Sequence, residues 1–161
     1  MGGAWKTPIK RTHAFWAGDG HDHWHLFEMA GGFLTPFGGG VHVGTSAKEG
    51  FHFSDVTPFD LSLPNAPQTK RYMACIGNNS CKPDALFIAE GIAVGWGDLY
   101  RAGIMFQWID ITSVANGKYV PTVTADPHGY LQESDNTNNT ASATISITNT
   151  SVTVLSYSGG A

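Results

Sequence analysis

Charged residues are scarce in this sequence, at 14% against roughly 25% in an average soluble domain. The formal net charge is −4 and no basic stripe is present, so a nucleic-acid partner is not expected. No apolar run reaches the length of about 18 residues that a membrane-spanning helix needs. No secretory leader is visible in the given sequence, whose start, Met1-Gly2-Gly3, is typical of an added segment. We expect residues 1–11 to be disordered or not native.

Long runs of helix-forming residues are absent too, whereas glycine is abundant at 20 of 161 residues. This length fits a single domain over residues 1–161. Alternation or β-branched residues predict strands in the last third of the chain, at 106–112, 118–126 and 140–157. The sequence therefore predicts an all-β fold, a compact antiparallel β-sandwich with long Gly/Pro-rich loops and little helix.

Three stretches have a weaker signal. Residues 31–46 are rich in glycine and are expected to form a connection with at most one short strand. Residues 54–71 contain three prolines and are expected to be an irregular loop. Residues 85–95 form a short apolar run that fits a strand pair or a short helix, since periodicity does not decide between them.

Cysteine is limited to Cys75 and Cys81. The intervening residues include Gly77, Asn78 and Asn79, which turn easily. A local disulfide is the first interpretation, and two buried thiols are the alternative.

The most informative segment is GDGHDHWHL at 18–26, where His21, His23 and His25 alternate with other residues. On a strand the three imidazoles share one face, whereas on a helix His23 would fall on the far side. Because the outer two would lie roughly 13 Å apart along a straight strand, a bend is needed for all three to meet. Neutral imidazoles suit copper, zinc, iron or nickel, and the spacing does not choose among them. A partly exposed aromatic strand without metal is the alternative.

Several segments in fixed order resemble the lysyl oxidase family, most closely its microbial members. The His segment is similar to the family's copper-binding segment, and further similar motifs follow in the family's order: AKEGFHFSD at 47–55, GWGDLY at 95–100, QWIDIT at 107–112 and ESDNTNN at 133–139. Each motif is moderate evidence alone, but the ordered set is strong.

The resemblance implies that His21, His23 and His25 bind copper and that Lys48 and Tyr100 form a lysine tyrosylquinone cofactor. It implies oxidative deamination of primary amines, peptidyl lysine included, by dioxygen, giving aldehydes, hydrogen peroxide and ammonia. No ordinary side chain accepts two electrons from an amine, so this reaction needs such a cofactor. The resemblance also implies a secreted, extracellular protein.

The resemblance further suggests Asp55 as the base that removes the substrate's α-proton. Asp98 and Asp110 are alternatives, for which a turn or cap hydrogen bond is an equally good interpretation. His52 stands where the animal enzymes have cysteine, and we expect it to be a hydrogen-bonded core residue rather than an additional ligand. Surface or structural roles are expected for the remaining histidines, His13, His42 and His128.

Two other functions remain open at this point. One is a non-catalytic extracellular metal-binding module of the Ig-like or adhesion type, since the segment from QWIDIT to ESDNTNN also resembles such domains. The other is a zinc hydrolase that uses the three histidines with Asp55 or Glu28 as base.

Overall fold

The structure is a computed structural model that describes residues 12–18, 20–48, 50–104, 106–131 and 135–159. Within these ranges the chain forms strands, turns and extended segments without a helix, and it contains no helix able to cross a membrane. The expectation for residues 1–11 falls outside the described residues. The strands are β1 (Ala14–Ala17), β2 (His23–Phe27), β3 (Ala30–Pro36), β4 (Gly44–Thr45), β5 (Gly50–Phe51), β6 (Thr57–Pro58), β7 (Trp96–Gly97), β8 (Gly117–Ala125), β9 (Thr140–Thr148) and β10 (Ser151–Gly159).

The larger sheet has five strands in the order β10-β9-β8-β3-β4, all antiparallel to their neighbours. Its inner face contributes the apolar core, in which Leu34, Tyr119, Ile145 and Ile147 are buried. Near the end of β9 the buried Ile145 and Ile147 alternate with the less buried Ser146 and the exposed Thr148, as expected for a sheet with one buried face. Apolar burial on this face is therefore the main source of stability for the larger sheet.

The functional residues lie mainly around a smaller antiparallel sheet with the order β1-β2-β5. In its register Phe15 is opposite His25 and Ala17 is opposite His23. A two-stranded pair, β6-β7, lies in the long connection that follows β5. These strands are short, and much of the surrounding chain is irregular.

The all-β antiparallel prediction is confirmed. The predicted strand at 118–126 corresponds to β8, and the segment at 140–157 forms β9 and most of β10, joined at Asn149 and Thr150. The loop prediction for 54–71 also holds for most of its length, with β6 as the regular exception.

The prediction for residues 31–46 was incomplete, because this glycine-rich segment includes most of β3 and all of β4. Its glycines serve close packing as well as turning. A Cβ atom on Gly44 would come within 2.5 Å of Cγ2 of Ile109, a distance that a side chain does not tolerate. The composition of this segment is typical of a loop, but the glycine at position 44 is required because two segments approach each other closely there.

Two further predictions were wrong. Residues 106–112 do not form a strand, and Ile109 makes only an isolated bridge with Ser46. The side chain of Asp110 accepts hydrogen bonds from the backbone N–H and the hydroxyl of Thr112, which turns the chain there. Residues 85–95 form neither a helix nor a strand pair. Backbone N–H groups of this segment instead donate to other parts of the chain, from Ala89 to the carbonyl of Asn78 and from Ala93 to the carboxylate of Asp55.

Candidate active site

The three histidines of the sequence motif are brought together by a sharp turn. His23 and His25 lie on β2, whereas His21 precedes the strand. Between them Asp22 has a φ of 50° and donates its backbone N–H to the carbonyl of Ala17 at 3.0 Å. A positive φ is uncommon for a residue other than glycine, although aspartate tolerates it better than most. This turn is the bend that the sequence required for convergence.

The imidazole rings are close neighbours. Their centroids are 5.5 Å apart for His21 and His23, 5.3 Å for His21 and His25, and 4.7 Å for His23 and His25. Nδ1 of His23 lies 2.5 Å from the carbonyl of His21, so this nitrogen carries the proton and donates it. Nε2 of His23 is then the acceptor for Nε2–H of His25, at 2.9 Å.

As they stand, the described residues contain no set of three or more His, Cys, Asp or Glu side chains arranged to hold a metal ion. The rings are nevertheless spaced for one. Two nitrogens bound to one ion at about 2.0–2.1 Å are roughly 2.9–3.4 Å apart for square to tetrahedral angles. The 2.9 Å separation in the His23–His25 pair lies at the edge of that range, so an ion would fit there once the His25 proton is on Nδ1 instead of Nε2.

Burial lowers the pKa of His23, and the neighbouring His52 and His21 lower it further against an opposing hydrogen bond from the His21 backbone. The imidazole is therefore neutral over a wider pH range, which is the form that binds metal. The donor chemistry of the cluster fits copper or zinc, because both accept neutral imidazole.

Lys48 and Tyr100 are also brought together, although they lie on separate segments of the chain. Nζ of Lys48 is 5.4 Å from the centroid of the Tyr100 ring and 5.5 Å from that of Phe51. Lys48 is buried, with 7% of its surface exposed. The amine is thus close to the ring with which a crosslink would form.

One residue, His52, connects the tyrosine to the histidine cluster. The Tyr100 hydroxyl donates a hydrogen bond to the carbonyl of His52 at 2.8 Å and accepts one from its backbone N–H at 3.1 Å. The imidazole of His52 has its centroid 5.0 Å from that of His23. The phenol is therefore held beside the histidine cluster by two hydrogen bonds to the backbone of one residue.

Lys48 lines two cavities. One, of about 430 Å³, is on the histidine side and is lined by residues that include Phe15, Trp16, His25, Lys48 and Phe106. The other, of about 440 Å³, is on the tyrosine side and is lined by residues that include Lys48, Phe51, Asp98, Tyr100 and Trp108. The second cavity combines apolar walls with one carboxylate, which suits the alkyl chain and amino group of a primary amine.

Asp55, expected from the resemblance to be the base, has contacts that fit a structural role instead. It is 1% exposed, and its oxygens accept backbone hydrogen bonds from Arg71, Tyr72 and Ala93 at 2.7, 3.0 and 2.7 Å. Burial alone would raise its pKa, but these three donors outweigh it and hold the pKa below the ordinary value. A carboxylate stabilised in this way is a poor proton acceptor, so these contacts weigh against Asp55 as the base, a role that stays a prediction.

Asp98 has the opposite environment. Burial raises its pKa above the ordinary value, against a weaker opposing effect from the Ser54 amide, whose N–H lies 3.3 Å from Oδ2. The carboxylate interacts with the Tyr100 hydroxyl and faces the cavity on the tyrosine side. Burial, and after it the charge of Asp98, raises the pKa of the Tyr100 phenol, so this hydroxyl stays neutral.

The predicted disulfide between Cys75 and Cys81 is confirmed, and its loop supports the histidine strand. Within the loop, Ser80 is fully buried and its carbonyl accepts the backbone N–H of Trp24 at 2.9 Å. The indole N–H of Trp24 donates to the carbonyl of Lys82 at 2.8 Å. The loop thus fixes the face of β2 opposite to the imidazoles.

The remaining candidates lie apart from this cluster. His13 stacks on Phe27 and His42 contacts Phe33. Glu28, the alternative base of a zinc hydrolase, lies 3.2 Å from His128 instead. The side chain of Asp110 is occupied by Thr112. The buried Glu90, which contacts His52, was not found from the sequence because it belongs to none of the recognised motifs.

Comparison with known proteins agrees with the sequence motifs. The family model for lysyl oxidase matches residues 1–157. The chain belongs to the lysyl oxidase family. Similar relatives include lysyl oxidase homolog 3 of Homo sapiens, 37% identical over 100 residues, which cover 55% of this chain and 13% of that protein. Lysyl oxidase homolog 2 of Xenopus laevis is 34% identical over 132 residues, covering 82% of this chain and 15% of that protein.

Lysyl oxidase homolog 3A of Danio rerio is 51% identical over 100 residues, which cover 55% of this chain and 14% of that protein. The chain thus matches about one seventh of the length of these relatives. Family membership supports a function of the copper amine oxidase type for the matched domain.

Proposed function

We propose that this lysyl oxidase family member is a copper-dependent amine oxidase whose cofactor, lysine tyrosylquinone, forms from its own Lys48 and Tyr100. The reaction converts a primary amine, dioxygen and water into an aldehyde, ammonia and hydrogen peroxide. Primary amines, with peptidyl lysine among them, are the substrate class. An extracellular location is part of the proposal, because the family resemblance implies it.

The observation that carries the proposal is the 5.4 Å separation between Nζ of Lys48 and the Tyr100 ring centroid. These residues are 52 positions apart in sequence, so only the fold brings them together. The fold also buries the Lys48 amine, with its Nζ facing the Tyr100 and Phe51 rings. This proximity is what a crosslink between the Lys48 amine and the Tyr100 ring requires.

The His21, His23 and His25 imidazoles would hold the copper ion, which supplies the one-electron chemistry that oxidises a phenol in the presence of dioxygen. His52 holds the phenol by its hydroxyl through its backbone N–H and carbonyl. Burial of Lys48 beside Phe51 surrounds the amine with aromatic surface and limits its contact with water. The amine and the ring are thus positioned before any bond forms.

Asp98 is the residue we propose as the base that takes the substrate's α-proton. It faces the same cavity as Tyr100, and burial raises its pKa. A raised pKa strengthens the ionised carboxylate as a proton acceptor near neutral pH. Phe51 and Trp108 line the same cavity and would contact the alkyl part of the amine.

The test compares Asp98→Asn with Asp110→Asn in copper-loaded protein supplied with a primary alkylamine. Hydrogen peroxide release should fall about 10²–10⁴-fold in Asp98→Asn, the usual contribution of a positioned base. Asp110→Asn should keep its activity, since Asp110 is exposed and bonded to Thr112. For the wild type, kcat should decline with acidity as Asp98 becomes protonated, and this limb should disappear in Asp98→Asn.

Peroxide release that is equal in the two variants would contradict the role of Asp98. Absence of peroxide from copper-loaded wild-type protein with alkylamines, polyamines and lysyl peptides would contradict the enzyme proposal. Stable copper binding without turnover is the result expected of a non-catalytic extracellular metal-binding module. Hydrolytic activity in zinc-loaded protein, but not in copper-loaded protein, would favour the zinc hydrolase.

A further inference from the structure

The inference concerns the imidazole of His52, which is 4% exposed and lies next to the histidine cluster. Within the described residues neither ring nitrogen has a well-aligned hydrogen bond. Nδ1 comes within 2.8 Å of Oε1 of Glu90, but the ring is not turned for the N–H to point at the oxygen. Nε2 has no hydrogen-bond partner at all in that part of the chain.

A buried nitrogen without a partner is unfavourable, costing about 1–3 kcal/mol. The expectation of a hydrogen-bonded core residue is therefore not met at Nε2 of His52. The centroid distance of 5.0 Å from His23 lies between the 4.7 and 5.5 Å found within the trio of His21, His23 and His25. The fourth ring is thus as close to His23 as the trio's members are to one another.

Glu90 has the position of a carboxylate that orients a ligand. Its side chain is 3% exposed, and its second oxygen, Oε2, accepts the backbone N–H of Phe53 at 3.2 Å. The carboxylate is therefore anchored on one side and faces Nδ1 of His52 on the other. Metal-binding histidines usually donate the proton of their other ring nitrogen to a carboxylate or a carbonyl.

We propose that His52 is a fourth imidazole ligand of the metal, binding through Nε2, and that Glu90 is the positioning residue that orients its ring. The proposal rests on the proposed metal site at His21, His23 and His25. In this arrangement Nδ1–H would donate to Glu90, which already lies 2.8 Å away, and Nε2 would bind the ion. Both buried nitrogens of His52 then have partners.

This assignment gives His52 two roles, one for its ring and one for its backbone. Its ring reaches the metal, and its backbone N–H and carbonyl hold the Tyr100 hydroxyl. The metal and the phenol that it would oxidise are thus joined through a single residue. A displacement of His52 by the metal would therefore also displace the Tyr100 hydroxyl that its backbone holds.

The experiment measures metal binding rather than turnover. Zn²⁺ affinity is determined by chelator competition, and Cu²⁺ electron paramagnetic resonance spectra are recorded under argon, for wild type, His52→Phe and Glu90→Gln. We expect about 100-fold weaker binding in His52→Phe and about tenfold weaker binding in Glu90→Gln. Both variants should also change the copper hyperfine pattern, and pulsed spectra of His52→Phe should lose one imidazole nitrogen signal.

His128→Phe is the matched control, since this exposed histidine pairs with Glu28 away from the cluster; its affinity and spectrum should equal those of wild type. If His52→Phe does not fold, as judged by near-ultraviolet circular dichroism, Glu90→Gln carries the test. Wild-type affinity and spectra in the folded variants would overturn the assignment but leave the three-histidine site intact. Failure of wild-type protein to bind either metal would overturn both the assignment and the proposed function.

Discussion

The two main sheets of the molecule are stabilised in different ways. The five-stranded sheet buries apolar residues, with Leu34, Tyr119, Ile145 and Ile147 at its centre. Around the three-stranded sheet the buried side chains are largely polar or charged: His25, Lys48, His52, Ser54, Asp55, Asn78 and Ser80. The first region is held by non-directional burial, and the second by specific hydrogen bonds and a disulfide.

This difference suggests that one region mainly stabilises the fold and the other mainly positions the candidate site. An apolar core tolerates approximate packing, whereas a buried polar network fails when one member loses its partner. The residues of the candidate site lie in the polar region, where hydrogen bonds fix their positions away from water. The larger sheet then provides the stability on which the less regular site depends.

The largest expected effect comes from Asp55→Ala in the polar region. Three backbone N–H groups would lose their acceptor, so the free energy of unfolding should fall by roughly 3–6 kcal/mol. Denaturant titration of the variant measures this loss. Asp135→Ala is the control, because Asp135 is exposed and accepts its hydrogen bonds from Thr137, two residues away; an equal loss in the two variants would contradict the structural role of Asp55.

A smaller loss is expected from Leu34→Ala in the apolar region. Leu34 is 1% exposed, and its truncation should lower the free energy of unfolding by about 2–5 kcal/mol. Val152→Ala, at a position 53% exposed, should change it little. The Zn²⁺ affinity of folded Leu34→Ala should match that of wild type, and a large drop in affinity would show that the two regions are not separate.

The smallest effect is a pH dependence of the unfolding free energy, which is expected for variants in the polar region and not for those in the apolar region. The pKa of Asp55 is depressed in the folded protein because three amide donors outweigh burial, so its stabilisation is present above the unfolded value of about 3.9. It is lost as pH falls through the lower folded pKa. The gap in unfolding free energy between wild type and Asp55→Asn should therefore narrow below about pH 4, whereas the gap for Leu34→Ala should stay constant.

Most of the apolar region was predictable from sequence. The β-branched and alternating residues of β8, β9 and β10 identified these strands because their periodicity is local. The glycine-rich β3 and β4 were missed, since the reason for Gly44 is its contact with Ile109, far along the chain. The alternation of apolar and polar residues at 106–112 was misleading because Asp110 turns the chain.

In the polar region the motifs identified the residue types but not all of their partners. The need for a bend before His23 followed from strand geometry, and the turn at Asp22 supplies it. By contrast, the contacts that assign roles to Tyr100 and Asp55 join residues 48 and 38 positions apart. No local pattern encodes such pairings, so the change of proposed base from Asp55 to Asp98 required the structure.

The most direct test of the central claim is a tryptic peptide map after incubation with copper in air, with Tyr100→Phe as the blank. We predict a single crosslinked peptide that contains Lys48 and Tyr100, with one oxygen more and four hydrogens fewer than the two separate segments, and no cleavage after Lys48. The variant should give none. Separate, unmodified Lys48 and Tyr100 peptides from wild-type protein that has bound copper would contradict the account.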